Sequence, residues 1–398
     1  MLILPATLSI ASVEKLFSSI NSDTSSTIQL PQRLANGGTP GLQAAIIQLL
    51  VTWARAHAHP TLFLSNSQYK NEQLSDEVFR TAYGLNALLL ATKVVSSSGA
   101  TIPRSVIDEY LDNAIDAMDR QKYADTLRGP GALLECVMDG QNEFISPFYE
   151  LNCAGGLRAK SSFHKISESL IASCNQTLSR RIPKSIIENI GNVLYELIKN
   201  TDEHAREDLN GVEAVPNVRG VLVRYAELGD QKIDAASTHG DSSLATYFSL
   251  AMLKQGPKRR EANVDREKNP FIEISVFDSG PGLAMRWGSI KEGISSLSDV
   301  TAEKELSWVA ECFDLHKTTK ASRESGRGLA EAVNTFVTLG AFVRLRTGRL
   351  SLIQNFIRSS SVHTNTFSPS HWDKNAILHP QAEGTCFTII FPVLPGTI

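Results

Sequence analysis

Hydrophobic and polar residues in the first part of the chain switch between strand and helix periodicity. Thr27–Pro31 and Pro60–Ser65 are short apolar runs typical of strands, and Gly41–His57 between them places apolar residues at helical spacing. Because a strand, a helix and a strand follow one another, we expect the two strands to pair in parallel. Two more helices are predicted, over about Glu77–Val95 and Pro103–Met118. This part of the chain is therefore expected to be a small α/β unit.

A glycine-containing segment, Asn152–Ala159, separates this unit from the rest of the chain. We take it as the boundary between a domain of residues 1–155 and a domain of residues 156–398. In the second domain the periodicity predicts helices over about Ser161–Cys174, Pro183–Ala205, Glu303–Phe313 and Leu329–Leu339, and strands over Gly220–Tyr225, Phe271–Phe277, Ala341–Arg346, Leu350–Phe356 and Thr385–Phe391. Residues 229–269 are polar and are expected to form an inserted segment. The arrangement indicates the α+β class.

The composition narrows the classes of protein to consider. A chain of 398 residues suggests two domains, and 42% hydrophobic with 20% charged residues is typical of a globular protein. A net charge of −3 gives no reason to expect a nucleic-acid footprint over the whole surface, and the basic run Lys258–Arg260 is more often simply solvated. The five cysteines form no CxxC pair, and we find no signal peptide and no apolar run of 18 residues. A cytoplasmic protein without a membrane span is expected.

The helix predicted over Pro183–Ala205 has one polar face. Glu196, Asn200, Glu203 and His204 are spaced so that they share this face, while an apolar stripe points towards a core. A helix that packs on a sheet would place such a face along a cleft.

A carboxylate lies at the end of the strand predicted over Phe271–Phe277. The strand runs into the sequence Asp278-Ser-Gly280-Pro-Gly282. A carboxylate at a strand end can accept a hydrogen bond from an exocyclic amine, and the glycines let the backbone pass close to a planar base.

Two more segments fit the same chemistry. Gly326-Arg-Gly328 opens a helix, and glycines there expose backbone N–H groups at a positive helix end, which suits phosphate. Glu383-Gly-Thr385 opens the last strand, where a hydroxyl would support the carboxylate.

In this order the segments resemble the N, G1, G2 and G3 boxes of the GHKL ATPase superfamily, which includes Hsp90, DNA gyrase, MutL, MORC proteins and histidine kinases. ELIKNTDEHA is similar to the N box, FDSGPG to G1, SGRGL to G2 and EGTCFTIIFP to G3, so the resemblance covers about residues 160–395. It implies a Bergerat-type α/β sandwich, with a mixed sheet and helices on one face, that binds ATP and Mg²⁺. The smaller N-terminal α/β domain lies beside it.

The resemblance also implies a role for each matching residue. Asn200 would bind the magnesium ion that bridges the phosphates, Asp278 would bind the adenine amine, and Thr385 would lie beside that carboxylate. The other expected nucleotide contacts are Glu203, Gly280, Gly282, Lys317, Thr318, Gly326, Arg327, Gly328 and Leu329. Lys317 and Thr318 belong to the segment Leu283–Ser325, which corresponds to the ATP lid.

Glu196 decides which chemistry to expect. In the hydrolysing relatives a glutamate four residues before the asparagine is the general base, and Glu196 has this position. The expected function is that of an ATPase that acts as a nucleotide-dependent conformational switch. Two alternatives stay open: a protein kinase of the histidine-kinase or anti-sigma serine-kinase type, and an ATP-sensing scaffold that does not hydrolyse ATP. His164, which precedes the N box, lacks the surroundings of a phosphoacceptor histidine.

The N-terminal strand–helix–strand unit resembles a STAS (anti-sigma-antagonist-like) domain. No further domain is recognised after the last box, so a regulatory or partner-binding role is expected for residues 1–155. A protein partner or a homodimer is expected on the same ground.

Overall fold

The computed structural model contains both helices and strands, which confirms the α+β class. It describes residues 1–22, 26–35, 38–137, 142–150, 156–228, 241–254, 269–314, 328–357 and 366–393. The helices are α1 (Ile10–Ser22), α2 (Leu42–Ala56), α3 (Asp76–Phe79), α4 (Ala82–Leu90), α5 (Arg104–Asp119), α6 (Lys160–Cys174), α7 (Gln176–Ser179), α8 (Lys184–His204), α9 (Ser242–Lys254), α10 (Leu283–Glu292), α11 (Ala302–Glu311) and α12 (Gly328–Leu339).

The strands belong to two main sheets and one short hairpin. They are β1 (Leu2–Ile3), β2 (Thr27–Gln29), β3 (Thr61–Leu64), β4 (Tyr69–Lys70), β5 (Gln73–Leu74), β6 (Lys93–Ser96), β7 (Gly131–Val137), β8 (Val218–Leu228), β9 (Asn269–Asp278), β10 (Phe342–Gly348), β11 (Leu350–Asn355), β12 (Ser370–His371) and β13 (Ala382–Pro392). Within the described residues no helix is long and apolar enough to cross a membrane.

The smaller main sheet has four strands in the order β1-β2-β3-β6, and all its pairs are parallel. The predicted parallel pair and the helix between its strands, α2, are therefore confirmed. The sequence patterns did not predict α1 or β1. Helix α2 is buried over most of its surface because it contacts α1, α4 and the larger sheet.

The helix predicted over Glu77–Val95 is interrupted near Thr81 and is wrong beyond Leu90. The chain breaks at Thr81, whose hydroxyl accepts a hydrogen bond from the Gly84 amide at 3.1 Å and so caps α4. Helix α4 ends at Leu90, and β6 follows and pairs with β3. The two valines of β6 are β-branched and favour a strand, but the partner strand that stabilises it is distant in sequence.

The larger sheet has seven strands in the order β12-β11-β10-β13-β9-β8-β7. Every pair is antiparallel, so the mixed sheet that the resemblance implies is wrong in its strand directions. β10 and β11 form the predicted hairpin, and Gly348 in its turn has φ 54°, a left-handed conformation that glycine adopts readily.

Strand β7 precedes the predicted domain boundary at residue 155 but pairs with β8 along its whole length, from Gly131 opposite Arg224 to Val137 opposite Val218. The larger sheet therefore takes a strand from each side of that boundary. The division of the chain into two domains stays a prediction.

Helices cover both faces of the larger sheet, whereas the prediction placed them on one face. On one face, α8 and α12 pack through Ile190, Val193 and Phe336 against Ile274 and Ile389. On the other face, α2 packs against β13 and β9. The second layer comes from the N-terminal part of the chain, which the periodicity of the C-terminal strands cannot reveal.

The burial of strand β9 reflects the helix layer that α2 forms on the second face of the sheet. Ile272, Ile274 and Val276 alternate with Glu273 and Ser275, as in a strand with one apolar and one polar face. In the structure Glu273 and Ser275 are only 2% and 0% exposed. The backbone of Gly41, at the start of α2, hydrogen-bonds to the Glu273 carboxylate, so the polar face of the strand is buried under the N-terminal unit.

Buried ion pairs connect this face of the sheet to other segments. Arg346 of β10 lies 3.0 Å from Glu14 of α1, and Arg344 of the same strand pairs with Asp241. Because a buried charge without a partner is costly, these pairs fix how the segments dock on the sheet.

The polar segment predicted at residues 229–269 contains a helix, α9, in its described part. Tyr247 and Phe248 of α9 are buried against Phe271 and Phe342 of the sheet. The Tyr247 hydroxyl donates to the Ile390 carbonyl at 2.9 Å. The basic run at residues 258–260 lies outside the described residues.

Glu135 of β7 is fully buried between the larger sheet and the N-terminal helices, where it accepts a hydrogen bond from Asn86 of α4 at 3.0 Å. Burial raises the pKa of this carboxyl from 4.5 to about 8, against the lowering effect of the Asn86 hydrogen bond. Between these two values the folded state binds more protons than the unfolded state, so the free energy of unfolding falls as the pH rises through this window.

Glu135→Gln is therefore expected to flatten the pH dependence of stability. The free energy of unfolding of the variant should rise relative to the wild type by on the order of 1–3 kcal/mol between pH 5 and pH 8. Urea denaturation across this pH range measures the difference, and Glu109→Gln, at an exposed position of α5, is the control. Parallel curves for Glu135→Gln and the wild type would contradict the buried, protonated carboxyl.

Candidate functional site

Helix α8 carries the predicted polar face at the margin of its buried apolar stripe. Ile190, Val193 and Leu197 are buried, and the Glu196 side chain beside them is 16% exposed. Its Oε1 accepts a hydrogen bond from the Lys160 ammonium at 2.9 Å. The predicted general base is therefore held in place by a lysine from the start of α6.

Lys160 joins three helices at this point. Its ammonium also donates to Glu331 of α12 at 3.1 Å, so it bridges the carboxylates of α8 and α12. Partial burial would lower the pKa of Lys160, but the hydrogen bonds to Glu196 and Glu331 outweigh it and raise the pKa above its usual value. Nothing in the local sequence identifies Lys160, because its partners lie 36 and 171 residues away.

Gly328, the first residue of α12, lies directly against Glu196. A β-carbon at this position would clash with the Glu196 carboxylate, so a residue with a side chain does not fit without a shift. The structure thus brings together two segments that the sequence places far apart, the polar face of α8 and the start of the helix after the predicted G2 box. Leu329, the next residue, is buried and packs in the core.

Asn200 lies one turn beyond Glu196 on α8 and is partly exposed. In the described part of the chain its side chain has no hydrogen-bond partner. Glu203 is exposed. Asp202 does not belong to this polar face, and its carboxylate accepts a hydrogen bond from the Tyr149 hydroxyl at 2.8 Å.

The carboxylate of Asp278 ends β9 and is held by two backbone amides. Its Oδ1 accepts hydrogen bonds from Gly280 N at 2.9 Å and from Thr385 N at 3.1 Å. Both bonds fall on Oδ1, and among the described residues no hydrogen bond to Oδ2 is found. Thr385 thus supports the carboxylate through its backbone N–H rather than through the hydroxyl that the sequence suggested.

The hydroxyl of Thr385 faces a second threonine. Its Oγ1 lies 3.3 Å from Thr347 Oγ1, which accepts a hydrogen bond from Leu283 N at 2.9 Å. Gly282, at φ 83°, precedes Leu283 and lets the chain turn into α10. The turn at residues 278–282, the end of β10 and the start of β13 therefore meet at one point.

Two glycines allow this close approach. A β-carbon on Gly280 would lie 2.6 Å from Ala205 Cα at the end of α8, and one on Gly384 would clash with the Asp278 carbonyl. Gly384 N also donates to Gly280 O at 2.8 Å. Glycine is required at these positions by the contact between three backbone segments.

Burial raises the pKa of Asp278 to about 6, and the hydrogen bonds from Gly280 and Thr385 oppose this effect. The charges of Arg55 and Arg286 lower the pKa as well. At neutral pH the carboxylate is therefore ionised and is an acceptor only.

Arg286 and Arg55 are site residues that sequence reasoning missed. Arg286 lies in the first turn of α10 and donates to the carbonyls of His204, at 2.8 Å, and Glu207, at 2.7 Å. Arg286 thereby connects the end of α8 to α10, which begins directly after the turn at residues 278–282. Its position four residues after Gly282 was the only available signal, and a single arginine there is not diagnostic.

Four predicted contacts, Lys317, Thr318, Gly326 and Arg327, lie outside the described residues. The described parts of the predicted lid segment form α10 and α11.

Helix α8 links the two groups of residues. Ala205 at its end touches Gly280 beside Asp278, and Glu196, nine residues earlier, touches Gly328. At the helical rise these contacts are about 14 Å apart along the axis.

Among the described residues, few side chains at this site could coordinate a divalent cation. In the described ranges no group of three or more His, Cys, Asp and Glu side chains could hold a metal ion. The amide oxygen of Asn200 is a hard ligand, and magnesium bound with a nucleotide needs one or two protein ligands besides phosphate and water. The residues present therefore fit magnesium carried by a phosphate ligand and do not form a metal cage.

Comparison with known proteins gives no independent assignment of this site. No protein-family model matches the chain, and no curated protein matches it.

Proposed function

We propose that this protein binds Mg–ATP in a Bergerat-type site and uses its slow hydrolysis as a conformational switch. The observation that carries the proposal is that one stretch of α8 connects two carboxylates that lie beside glycine-containing segments. Glu196 on the helix lies against Gly328, and Ala205 at the helix end lies against Gly280 beside Asp278. The four segments that resemble the GHKL boxes are otherwise separated by long stretches of sequence.

The Asp278 end suits an adenine ring. The ionised Oδ2 would accept a hydrogen bond from the exocyclic amine, while Oδ1 is already held by two amides. Glycines at 280, 282 and 384 keep side chains away from the turn beside it. A carboxylate that can only accept hydrogen bonds selects a base with an amine over one with a carbonyl at the same position.

The Glu196 end suits the phosphates. The described part of α12 begins at Gly328 beside Glu196, and the positive end of this helix dipole would attract the negative charge of the phosphates. Asn200, one turn along α8, would hold the magnesium ion through its amide oxygen. When bound, the ion neutralises charge on the phosphate oxygens.

Glu196 is the residue that would accept a proton from the attacking water. Its side chain is mostly buried, lies against Gly328 and is oriented by Lys160. Phosphoryl transfer to water needs an oriented nucleophile, a metal and a base, and the chain supplies the orientation and the base.

The test is one assay with three readouts on the wild type and on Asn200→Ala. Equilibrium binding of ATP is measured with and without Mg²⁺, and free phosphate and protein-bound label are measured with γ-labelled ATP. We expect magnesium-dependent ATP binding and slow phosphate release in the wild type. Asn200→Ala should lose about tenfold or more of the magnesium-dependent affinity, because one of the few protein ligands is removed.

Asp202→Asn is the matched control, because Asp202 lies on the same helix turn but contacts Tyr149 instead of the polar face. No ATP binding by the wild type would refute the proposal. Label on the protein instead of free phosphate would replace hydrolysis with kinase activity, and binding without either product would leave an ATP-sensing scaffold.

A further inference from the structure

Helix α2 of the N-terminal unit extends to the turn that follows Asp278. It contacts β13 and β9 along the face of the sheet opposite α8. Near its end, Arg55 projects towards the turn, with a side chain only 16% exposed. What sets this arginine apart from the more deeply buried Arg344 and Arg346 is that its partners belong to the segments that surround Asp278.

The Arg55 guanidinium connects three separate segments of the site. It forms an ion pair with Glu383 at 2.7 Å, two residues before Thr385. It donates to the Pro216 carbonyl from two nitrogens, at 3.1 and 3.3 Å, and to the Ser279 hydroxyl at 3.5 Å. Ser279 immediately follows Asp278 and also accepts the Val218 amide at 2.8 Å.

Two other side chains of α2 hold the same strand. Gln48 donates to the Glu383 carbonyl at 3.1 Å, and the Thr52 hydroxyl accepts the Glu383 amide at 3.0 Å. Three successive turns of α2 therefore touch the point where β13 opens, next to the amide of Thr385 that holds Asp278.

We propose that Arg55 is a positioning residue of the nucleotide site, and that through it α2 couples occupancy of the Asp278 end to the N-terminal unit. The inference rests on the proposed function, because it assumes that a nucleotide base binds at Asp278. The planar guanidinium, with its several donors, holds Glu383, Ser279 and Pro216 in one arrangement. A base that engages Asp278 requires that arrangement, so binding stabilises the docking of α2, and the docking of α2 favours binding.

Arg55 also acts on the Asp278 carboxylate through its charge. Burial raises the pKa of Asp278 to about 6, and Arg55 is one of the two arginines whose charge lowers it. ADP binding that needs the ionised carboxylate should therefore weaken as the pH falls through about 6 in the wild type. Without the positive charge, the midpoint of this loss should move to higher pH.

The experiment is a titration of the full chain with ADP between pH 5 and pH 8, for the wild type, Arg55→Met and Arg55→Lys. We expect Arg55→Met to bind about tenfold more weakly at pH 8 and to show a raised midpoint, since it lacks both the hydrogen bonds and the charge. Arg55→Lys keeps the positive charge but loses the planar set of guanidinium N–H donors. Its midpoint should stay near that of the wild type while its affinity is still reduced severalfold.

Glu14→Gln is the matched control. It removes a buried ion pair with Arg346 on the same face of the sheet, so it costs stability without touching Ser279 or Glu383. Its midpoint should equal that of the wild type. Hydrogen exchange supplies the second readout: ADP should slow exchange of the amides in residues 42–56 of the wild type and of Glu14→Gln, but not of Arg55→Met.

The outcomes separate the two proposals. If the wild type does not bind ADP, the proposed function fails and the inference fails with it. If the wild type binds ADP while Arg55→Met keeps its affinity, midpoint and protection, only the inference is overturned. Should Arg55→Met not fold, Arg55→Lys decides: unchanged affinity and unchanged protection of α2 would overturn the inference.

Discussion

Asp278→Asn is expected to weaken ATP binding by about a hundredfold or more, because it places two hydrogen-bond donors face to face. Oδ1 of Asp278 accepts the amides of Gly280 and Thr385, so the asparagine oxygen must take this position. The amide nitrogen is then left where Oδ2 meets the exocyclic amine of adenine. Neither group can accept a hydrogen bond, and both stay desolvated in the complex.

The same reasoning predicts a change in base preference. A guanine ring has a carbonyl where adenine has its amine, and the new amide can donate to it. The ratio of GTP to ATP affinity should therefore be higher in Asp278→Asn than in the wild type. Competition titrations with both nucleotides measure this ratio.

The variant should keep its fold. Burial raises the pKa of Asp278 to about 6, so the ionised carboxylate destabilises the folded state above that pH relative to a normal aspartate. A neutral amide removes this cost while keeping the two backbone hydrogen bonds. We therefore expect Asp278→Asn to unfold at the same urea concentration as the wild type at pH 7, or at a higher one. ATP binding of wild-type strength in a folded Asp278→Asn would remove Asp278 from the site.

The parts of the site that sequence predicted are those with a local signal. Asp278 follows a strand of alternating residues and is flanked by glycines, so both its position and its surroundings follow from neighbouring residues. Glu196 and Asn200 are four residues apart on an amphipathic helix, which is enough to place them on one face. Their helix and strand were both confirmed with bounds close to those predicted.

The parts that sequence missed depend on contacts between distant segments. Lys160 meets Glu331 across 171 residues, and Arg55 meets Glu383 across 328 residues. Lys160 and Arg55 do not interrupt the helical pattern of apolar residues around them. From the sequence pattern alone, each is an ordinary polar residue on a helix. Burial of their charges follows only when the helices are packed.

The same limit applies to the fold. Glu273 and Ser275 have the polar character of a solvent-facing edge of a strand, and their burial depends on α2, which the chain supplies more than 200 residues earlier. Lys93–Val95 fall within the helix predicted over Glu77–Val95 because the apolar residues before them continue a helical period, whereas pairing with the distant strand β3 makes them part of β6. Strand directions in the larger sheet likewise depend on which strands pair with one another. No local sequence pattern determines this pairing.

Glu196→Gln is expected to reduce ATP turnover by about a hundredfold or more while ATP affinity stays within a fewfold of the wild type. Glutamine has the same shape and can still accept the hydrogen bond from Lys160, so the packing against Gly328 is kept. It cannot take a proton from water at neutral pH. The loss should therefore fall on the rate of the chemical step and not on binding.

Single-turnover phosphate release at saturating Mg–ATP, together with equilibrium binding, separates these quantities. Glu331→Gln is the matched control, because Glu331 binds the same lysine but is 52% exposed on α12. The control alters the electrostatic surroundings of Lys160 as Glu196→Gln does, yet it leaves the base in place. We expect it to retain turnover to within about threefold, as an exposed ion pair contributes little.

The comparison of the two variants tests whether Glu196 is a base or a structural partner of Lys160. If the two carboxylates mattered only because they hold Lys160 between α6, α8 and α12, both variants would lose activity through weaker binding, and Lys160→Met would reproduce them. If Glu196 accepts the proton, only Glu196→Gln loses the chemical step. A turnover rate that survives Glu196→Gln would exclude Glu196 as the base and leave it as a structural partner of Lys160.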